Sequence, residues 1–195
     1  MAAAVDEKQF IERLRELLVT LPYDLKVLHE ILCDEDLPKE ARRLAAGAVV
    51  YCLSPSDPIP DQTGLVGFVD DVVLVRSVLH RVLEMGGDDA ADYPARFGDQ
   101  FNGLAEDLSL FRSQLGSSMN WIDARLERLT EPKYKGKTIA MLVDDDEARE
   151  LLYEDSLAFG TEYEIDDEKA RRLASAKPVV DAFRKRQETE DLRRR

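Results

Sequence analysis

The sequence predicts an all-α protein: a helical bundle around a central apolar helical hairpin at 44–83, with a long heptad-like helix or helical hairpin at 95–130 and a helical C-terminal extension. Three observations carry that expectation. Charged residues make up 34% and hydrophobic ones 44% of the 195 residues, with few aromatics and only 10 Gly and 8 Pro, a composition suited to exposed helices and unsuited to an all-β fold. Apolar residues recur at helical spacing along most of the chain. Between 44 and 53 no charged residue occurs at all, so that stretch has to be covered on every side. The length is enough for one compact domain with an appendage.

The first helix is expected over about 6–19, with Phe10, Ile11, Leu14, Leu17 and Leu18 on one face and Pro22 ending it. Thr20 would cap a second helix with Pro22 in its first turn and Leu25, Leu28, Ile31 and Leu32 on its inner face. His29 lies one position off that face and reads as a boundary side chain. Asp36 would cap the third helix, with Pro38 at its start and Glu40 in its first turn, the sign that suits the positive end of the helix dipole. Gly47 in the apolar stretch predicts close approach of a neighbouring helix.

The turn that follows, at 54–61, is stiffened by Pro55, Pro58 and Pro60, each of which also restricts the residue before it. Asp57 and Asp61 then lie where the next helix begins and are suited to cap it. In that helix, expected over about 67–85 and closed by Gly86 and Gly87, a projection at 100° per residue puts Asp71 in the middle of the apolar face. Asp70 falls about 100° away, on the more polar side with Ser77, Arg81 and Glu84. A buried carboxylate needs hydrogen bonds, a cation or a metal, or it takes up a proton. Asp71 is therefore expected to accept bonds from the 54–61 turn or to pair with Arg42 or Arg43. The alternative is a hard divalent ion, Mg²⁺ or Ca²⁺, held by Asp57, Asp61 and Asp71.

These residues also carry a resemblance. The run Tyr51-Cys52-Leu53-Ser54-Pro55-Ser56-Asp57-Pro58-Ile59-Pro60-Asp61, followed by Gly67 and the Asp70-Asp71 pair, resembles the YkvA-like domain, a short bacterial domain of unknown function. Its pattern is an apolar helix, S-P-x-D-x-I-P-D, a Gly and a D-D pair opening a second helix. The match covers about 38–84. It implies a helical hairpin with Ser54, Pro55, Asp57, Pro60, Asp61, Gly67, Asp70 and Asp71 as motif and structural residues, and it implies no reaction. Relatives often look membrane-associated. Arg76, His80 and Arg81 in the second helix, and Pro58 in place of an apolar residue, depart from that here.

Beyond Gly86 and Gly87, ten apolar residues form a narrow stripe: Phe97, Phe101, Leu104, Leu108, Phe111, Leu115, Met119, Ile122, Leu126 and Leu129. Their alternating steps of four and three are those of a helical seam, buried against the chain's own helices or in a homodimer or partner contact through 97–129. The 116–118 stretch is expected to break the helix, and Trp121 to lie in the core. Pro132 and Gly136 mark a linker, dividing the chain into a helical domain at 1–130 and a helical extension at 131–195. The 138–143 stretch is ambiguous between strand and helix start, and the acidic run at 144–147 favours a helix start. The 166–192 segment is helical, interrupted at Pro178, with a thin apolar stripe free to fray or to dock on a partner.

Composition also excludes function classes. A net charge of -13 repels phosphates and anionic lipid headgroups, so neither nucleic acid nor a peripheral membrane contact is expected. No stretch approaches the roughly 18 uninterrupted apolar residues of a spanning helix. Cys33 and Cys52, far apart in apolar helical patterns, read as buried reduced thiols. With an acidic N-terminal stretch that lacks signal-peptide character, they predict a cytoplasmic address. No nucleophile with a base, no Gly-rich phosphate loop and no zinc motif is present, so no catalytic residue is assigned and no cofactor is expected outside the Mg or Ca alternative. The expectation is a soluble protein acting as a non-catalytic helical scaffold or protein-interaction module. The alternative is a divalent-metal-binding enzyme or sensor.

Overall fold

The computed structural model describes the backbone of residues 2–54 and 61–193 and the side chains of 7–54 and 64–192. It is all-α apart from one minimal hairpin. Helix α1 (Ala2–Cys33) is followed by α2 (Lys39–Cys52), a 3₁₀ segment (Asp61–Phe68) and α3 (Val69–Gly86). Three shorter helices follow: α4 (Tyr93–Phe97), α5 (Leu104–Leu115) and α6 (Met119–Leu126). Antiparallel strands β1 (Lys133–Tyr134) and β2 (Lys137–Thr138) lead to α7 (Ile139–Asp144), α8 (Asp146–Glu162), α9 (Asp167–Ala170) and α10 (Lys177–Arg193).

The first two expected helices are one. Pro22 lies inside α1 and does not end it. A proline in a helix removes one N–H and leaves the carbonyl four residues earlier without its donor. Here that carbonyl belongs to Leu18, and the Tyr163 hydroxyl donates to it at 2.6 Å. A side chain from the far end of the chain thus fills the gap, and the helix continues. Pro22 also packs near Gly160 of α8.

Helices α2 and α3 form the centre of the bundle, as their apolar character requires. Eleven of the fourteen residues of α2 are buried, and α3 is buried from Val69 to Leu79 without a gap. Asp36 does not cap α2: Pro38 holds that position with no side-chain bond, while the Asp34 carboxylate accepts the Asp36 N–H at 3.1 Å. Gly47 does provide a close approach. A Cβ there would lie 2.4 Å from the Leu129 carbonyl oxygen, so the backbone after α6 runs directly over α2.

The stripe from Phe97 to Leu129 breaks twice, at Gly98–Gly103 and at Gly116, where glycines adopt positive φ. Eight of its ten apolar side chains are buried in the chain's own core, and Phe97 and Leu108 are half-buried against it. The seam is therefore largely buried against the chain's own helices, the first of the two expected arrangements. Trp121 is buried edge-on to Phe183 of α10 at 5.6 Å. Pro178 opens α10 where it was expected to interrupt a helix, because a proline in the first turn loses no helical bond. Val179 and Phe183 of α10 are fully buried, so the thin C-terminal stripe docks on the rest of the chain.

The 131–137 stretch closes as a two-residue hairpin turn, with Lys135 and Gly136 both at positive φ. Thr138 caps α7, Asp145 caps α8 by accepting the Ala148 N–H at 2.8 Å, and Asp166 caps α9. Cys52 is buried, but Cys33 is exposed at the end of α1, contrary to the expectation of two buried thiols. Its sulfur lies 3.7 Å from His29 Nδ1, one turn back on the same face. No helix among the described residues is long and apolar enough to cross a membrane.

Candidate functional site

One cluster of charges that the fold buries lies where α1, α3 and α5 meet. Asp107 of α5 sits at the centre, 3% exposed, and serves two arginines at once. Arg13 of α1 donates Nε to its Oδ1 at 2.7 Å and a terminal nitrogen to its Oδ2 at 3.1 Å. Arg76 of α3 donates Nε to Oδ2 at 2.8 Å. The Arg76 side chain is wholly buried, and its two terminal nitrogens donate to the Gln100 and Asn102 carbonyls between α4 and α5. Each of the three nitrogens of that guanidinium thereby has an acceptor, as a buried guanidinium requires.

Asp24 completes the cluster from α1. It is 1% exposed, and neither carboxylate oxygen has a hydrogen-bond partner. Burial pushes its carboxyl up to about 7, against the opposing pull of Arg76 and Arg13. Burial likewise holds the Arg76 guanidinium below its ordinary range, with Asp107 and Asp24 opposing. Arg13, which is half-buried, moves the other way because Asp107 accepts from it. Both arginines thus engage the shared carboxylate, Arg76 through Nε and a terminal nitrogen at 2.6 Å, and the buried one is also held by two backbone carbonyls.

The cluster backs onto a polar groove of about 1150 Å³ between α1 and α5, lined among others by Glu12, Arg13, Glu16, Asp99 and Asn102. A second, more apolar cleft of about 820 Å³ is walled by Phe68, Phe159 and Tyr163.

The motif aspartates Asp70 and Asp71 lie on the same helix, before Arg76. Asp70 is fully buried and accepts the Tyr51 hydroxyl at 2.6 Å, so the expected polar-side position is corrected: α3 is covered there as well, by Tyr51 at the C-terminal end of α2. Asp71 is buried at 1% exposure. Arg42 donates to the Leu32 carbonyl and Arg43 to Glu40. Gly67 is buried and Ser54 half-buried, with the Ser54 N–H on the Tyr51 carbonyl. Pro55, Asp57 and Pro60, together with the Asp61 side chain, lie outside the described residues. Among the described residues no group of three or more His, Cys, Asp and Glu is placed to hold a metal ion.

Helices α2 and the first half of α3, which flank the proline-rich 55–60 sequence and carry the buried aspartate pair, are the part of the fold with a recognisable pattern. Residues 41–75 match the model of DUF1232, described as a protein of unknown function. The DUF1232 match agrees with the YkvA-like resemblance and, like it, covers a segment only. No curated protein and no solved structure matches the chain. The match ends one residue before Arg76, so the charge cluster lies at the edge of the DUF1232 segment and joins it to α1 and α5.

The sequence reading did not find Arg13, Asp24, Arg76 or Asp107. The same projection that singled out Asp71 would have found Asp24, which shares its helical face with Leu17, Leu21, Leu28 and Ile31. Asp107 is harder, because either Asp107 or Leu108 can follow Leu104 in a three-or-four pattern. The fold turns Asp107 inward and leaves Leu108 half-buried. The His29 and Cys33 contact was legible from their spacing of four on one helix.

Proposed function

We propose that the protein is a non-catalytic helical scaffold or interaction module whose DUF1232 segment builds the core. The observation that carries this reading is the inward engagement of Asp70 and Arg76 in the first half of α3. Asp70 is held by Tyr51, and Arg76 is saturated by one carboxylate and two backbone carbonyls. Groups committed to fixed internal partners position helices, whereas a reaction needs a group open to substrate. A partner that engages 97–129 meets its polar outer side in the α1–α5 groove. The acidic lining there, Glu12, Glu16, Asp99 and Glu106, suits a basic surface.

The second reading, a divalent ion on Asp57, Asp61 and Asp71, rests on oxygen-rich chemistry that suits Mg²⁺ or Ca²⁺. One experiment separates the two. Elemental analysis of the purified protein is paired with thermal unfolding in Mg²⁺, Ca²⁺ and chelator. An unchanged melting temperature with no stoichiometric ion supports the scaffold. About one ion per chain and a lower melting temperature in chelator moves the assignment to the metal reading.

A further inference from the structure

Cys33 closes α1 with its side chain exposed, and its sulfur lies 3.7 Å from Nδ1 and 4.0 Å from Nε2 of His29, one helical turn earlier. Either tautomer therefore offers the thiol a ring nitrogen within reach. The half-buried imidazole is itself held from α8: its ring centre lies 4.5 Å from that of Tyr153, and the Arg149 backbone hydrogen-bonds it. The Arg149 guanidinium is engaged elsewhere, on the Val143 carbonyl and on Asp146. A nucleophile, a base beside it and a third group that fixes the base are the parts of an activated thiol. The sequence reading did not assign this pair.

The thiol and the imidazole are both uncharged at neutral pH. Partial burial raises the thiol above its ordinary range, with Glu30 and Asp146 adding to the effect and Arg149 and Arg42 opposing it. Burial lowers the imidazole, helped by the charge of Arg149 and opposed by the Arg149 backbone, Glu30 and Glu150. The pair is thus an S–H group beside a free base. Such a thiol reacts when its proton leaves as the new bond forms, and His29 stands where it can take that proton. No second sulfur comes from within the chain, which has two cysteines, the other being Cys52, buried in α2. The charged groups around the pair carry both signs, which suits a small polar molecule.

We propose that Cys33 and His29 form a thiol modification site for low-molecular-weight disulfides. Cys33 Sγ attacks one sulfur of the disulfide while His29 takes the thiol proton; the S–S bond breaks, and the leaving thiolate receives the proton from the imidazolium. Cys33 ends in a mixed disulfide and is oxidised, and the released half is reduced to a free thiol. With Cys52 buried, the cap stays until an external thiol removes it, so the end of α1 follows the thiol–disulfide balance around the protein.

The test is the rate at which the full chain releases chromophore from dithiodipyridine, a neutral disulfide, between about pH 6 and about pH 8. The wild type should release one equivalent per chain rapidly, at a rate nearly level above about pH 7, where the imidazole is fully neutral. A rate that climbs about tenfold per pH unit across the range belongs to an unassisted thiol and overturns the proposal. His29→Gln, with its fold checked by circular dichroism, should react at least about tenfold more slowly at about pH 7, and a rate equal to the wild type overturns it. Cys33→Ser should lose the rapid equivalent, and its retention overturns it. Incubation of the wild type with oxidised glutathione should leave one glutathionyl group per chain by intact mass, removable by a reducing thiol. Two chains joined through Cys33 would instead overturn the small disulfide as the partner.

Discussion

The Tyr163 hydroxyl donates to the Leu18 carbonyl at 2.6 Å, and Leu18 is the residue whose helical donor Pro22 removes. Two faults cancel: a helix with a missing N–H, and a half-buried hydroxyl that needs an acceptor. Tyr163→Phe should therefore destabilise the protein by about 1 kcal/mol, with the carbonyl left unpaired. The same change in a Pro22→Ala background should cost clearly less, because residue 22 then supplies the N–H. A double-mutant cycle in urea checks this, and additive losses would remove the proposed coupling.

Gly47→Ala tests the contact between α2 and the chain after α6. The new methyl would lie 2.4 Å from the Leu129 carbonyl oxygen, which is backbone and has little room to move. A loss of about 1 to 3 kcal/mol is expected from overpacking, although alanine is the better helix former. Thermal unfolding gives the sign directly, and a gain in stability would show that the two segments do not touch.

Asp24 predicts a stability that depends on pH with an unusual sign. Its carboxyl is near its model value of 3.8 when unfolded and is raised to about 7 when folded. Between those values the folded state holds more protons, so stability falls as pH rises through that window and levels off above about 7. The full effect is about 4 kcal/mol in the wild type. Asp24→Asn should lose this slope and be the more stable protein at about pH 8. Denaturant unfolding of both proteins at a series of pH values measures the difference.

Arg76→Leu should be among the most damaging single changes, at about 3 to 5 kcal/mol, because it leaves the Gln100 and Asn102 carbonyls and part of Asp107 unpaired in the core. Adding Asp107→Leu should recover part of that loss, since an apolar pair carries no desolvation penalty. Arg13 would then keep only Glu16, an exposed partner worth little. Melting temperatures of the two variants decide, and a double variant less stable than Arg76→Leu would show that Arg13 holds the junction.

What the sequence by itself determined is whatever follows from local pattern: the all-α class, the fully covered hairpin of α2 and α3, the break at Gly116, the helix start in the acidic run at 144–147, the tight approach at Gly47 and the burial of Asp71. Each depends on periodicity or on the stereochemistry of one residue, and both are written in a few neighbouring positions. The tertiary structure decided the rest. Pro22 reads as a stop until Tyr163, 141 positions later, supplies the missing donor. Asp70 reads as a residue of the more polar side until Tyr51 covers it. Asp107 and Leu108 are equivalent in a three-or-four pattern until α1 and α3 offer two guanidinium groups to one of them. Burial of a charge is favourable only when its partner is already in place, and partners distant in sequence are brought together only by the packed fold.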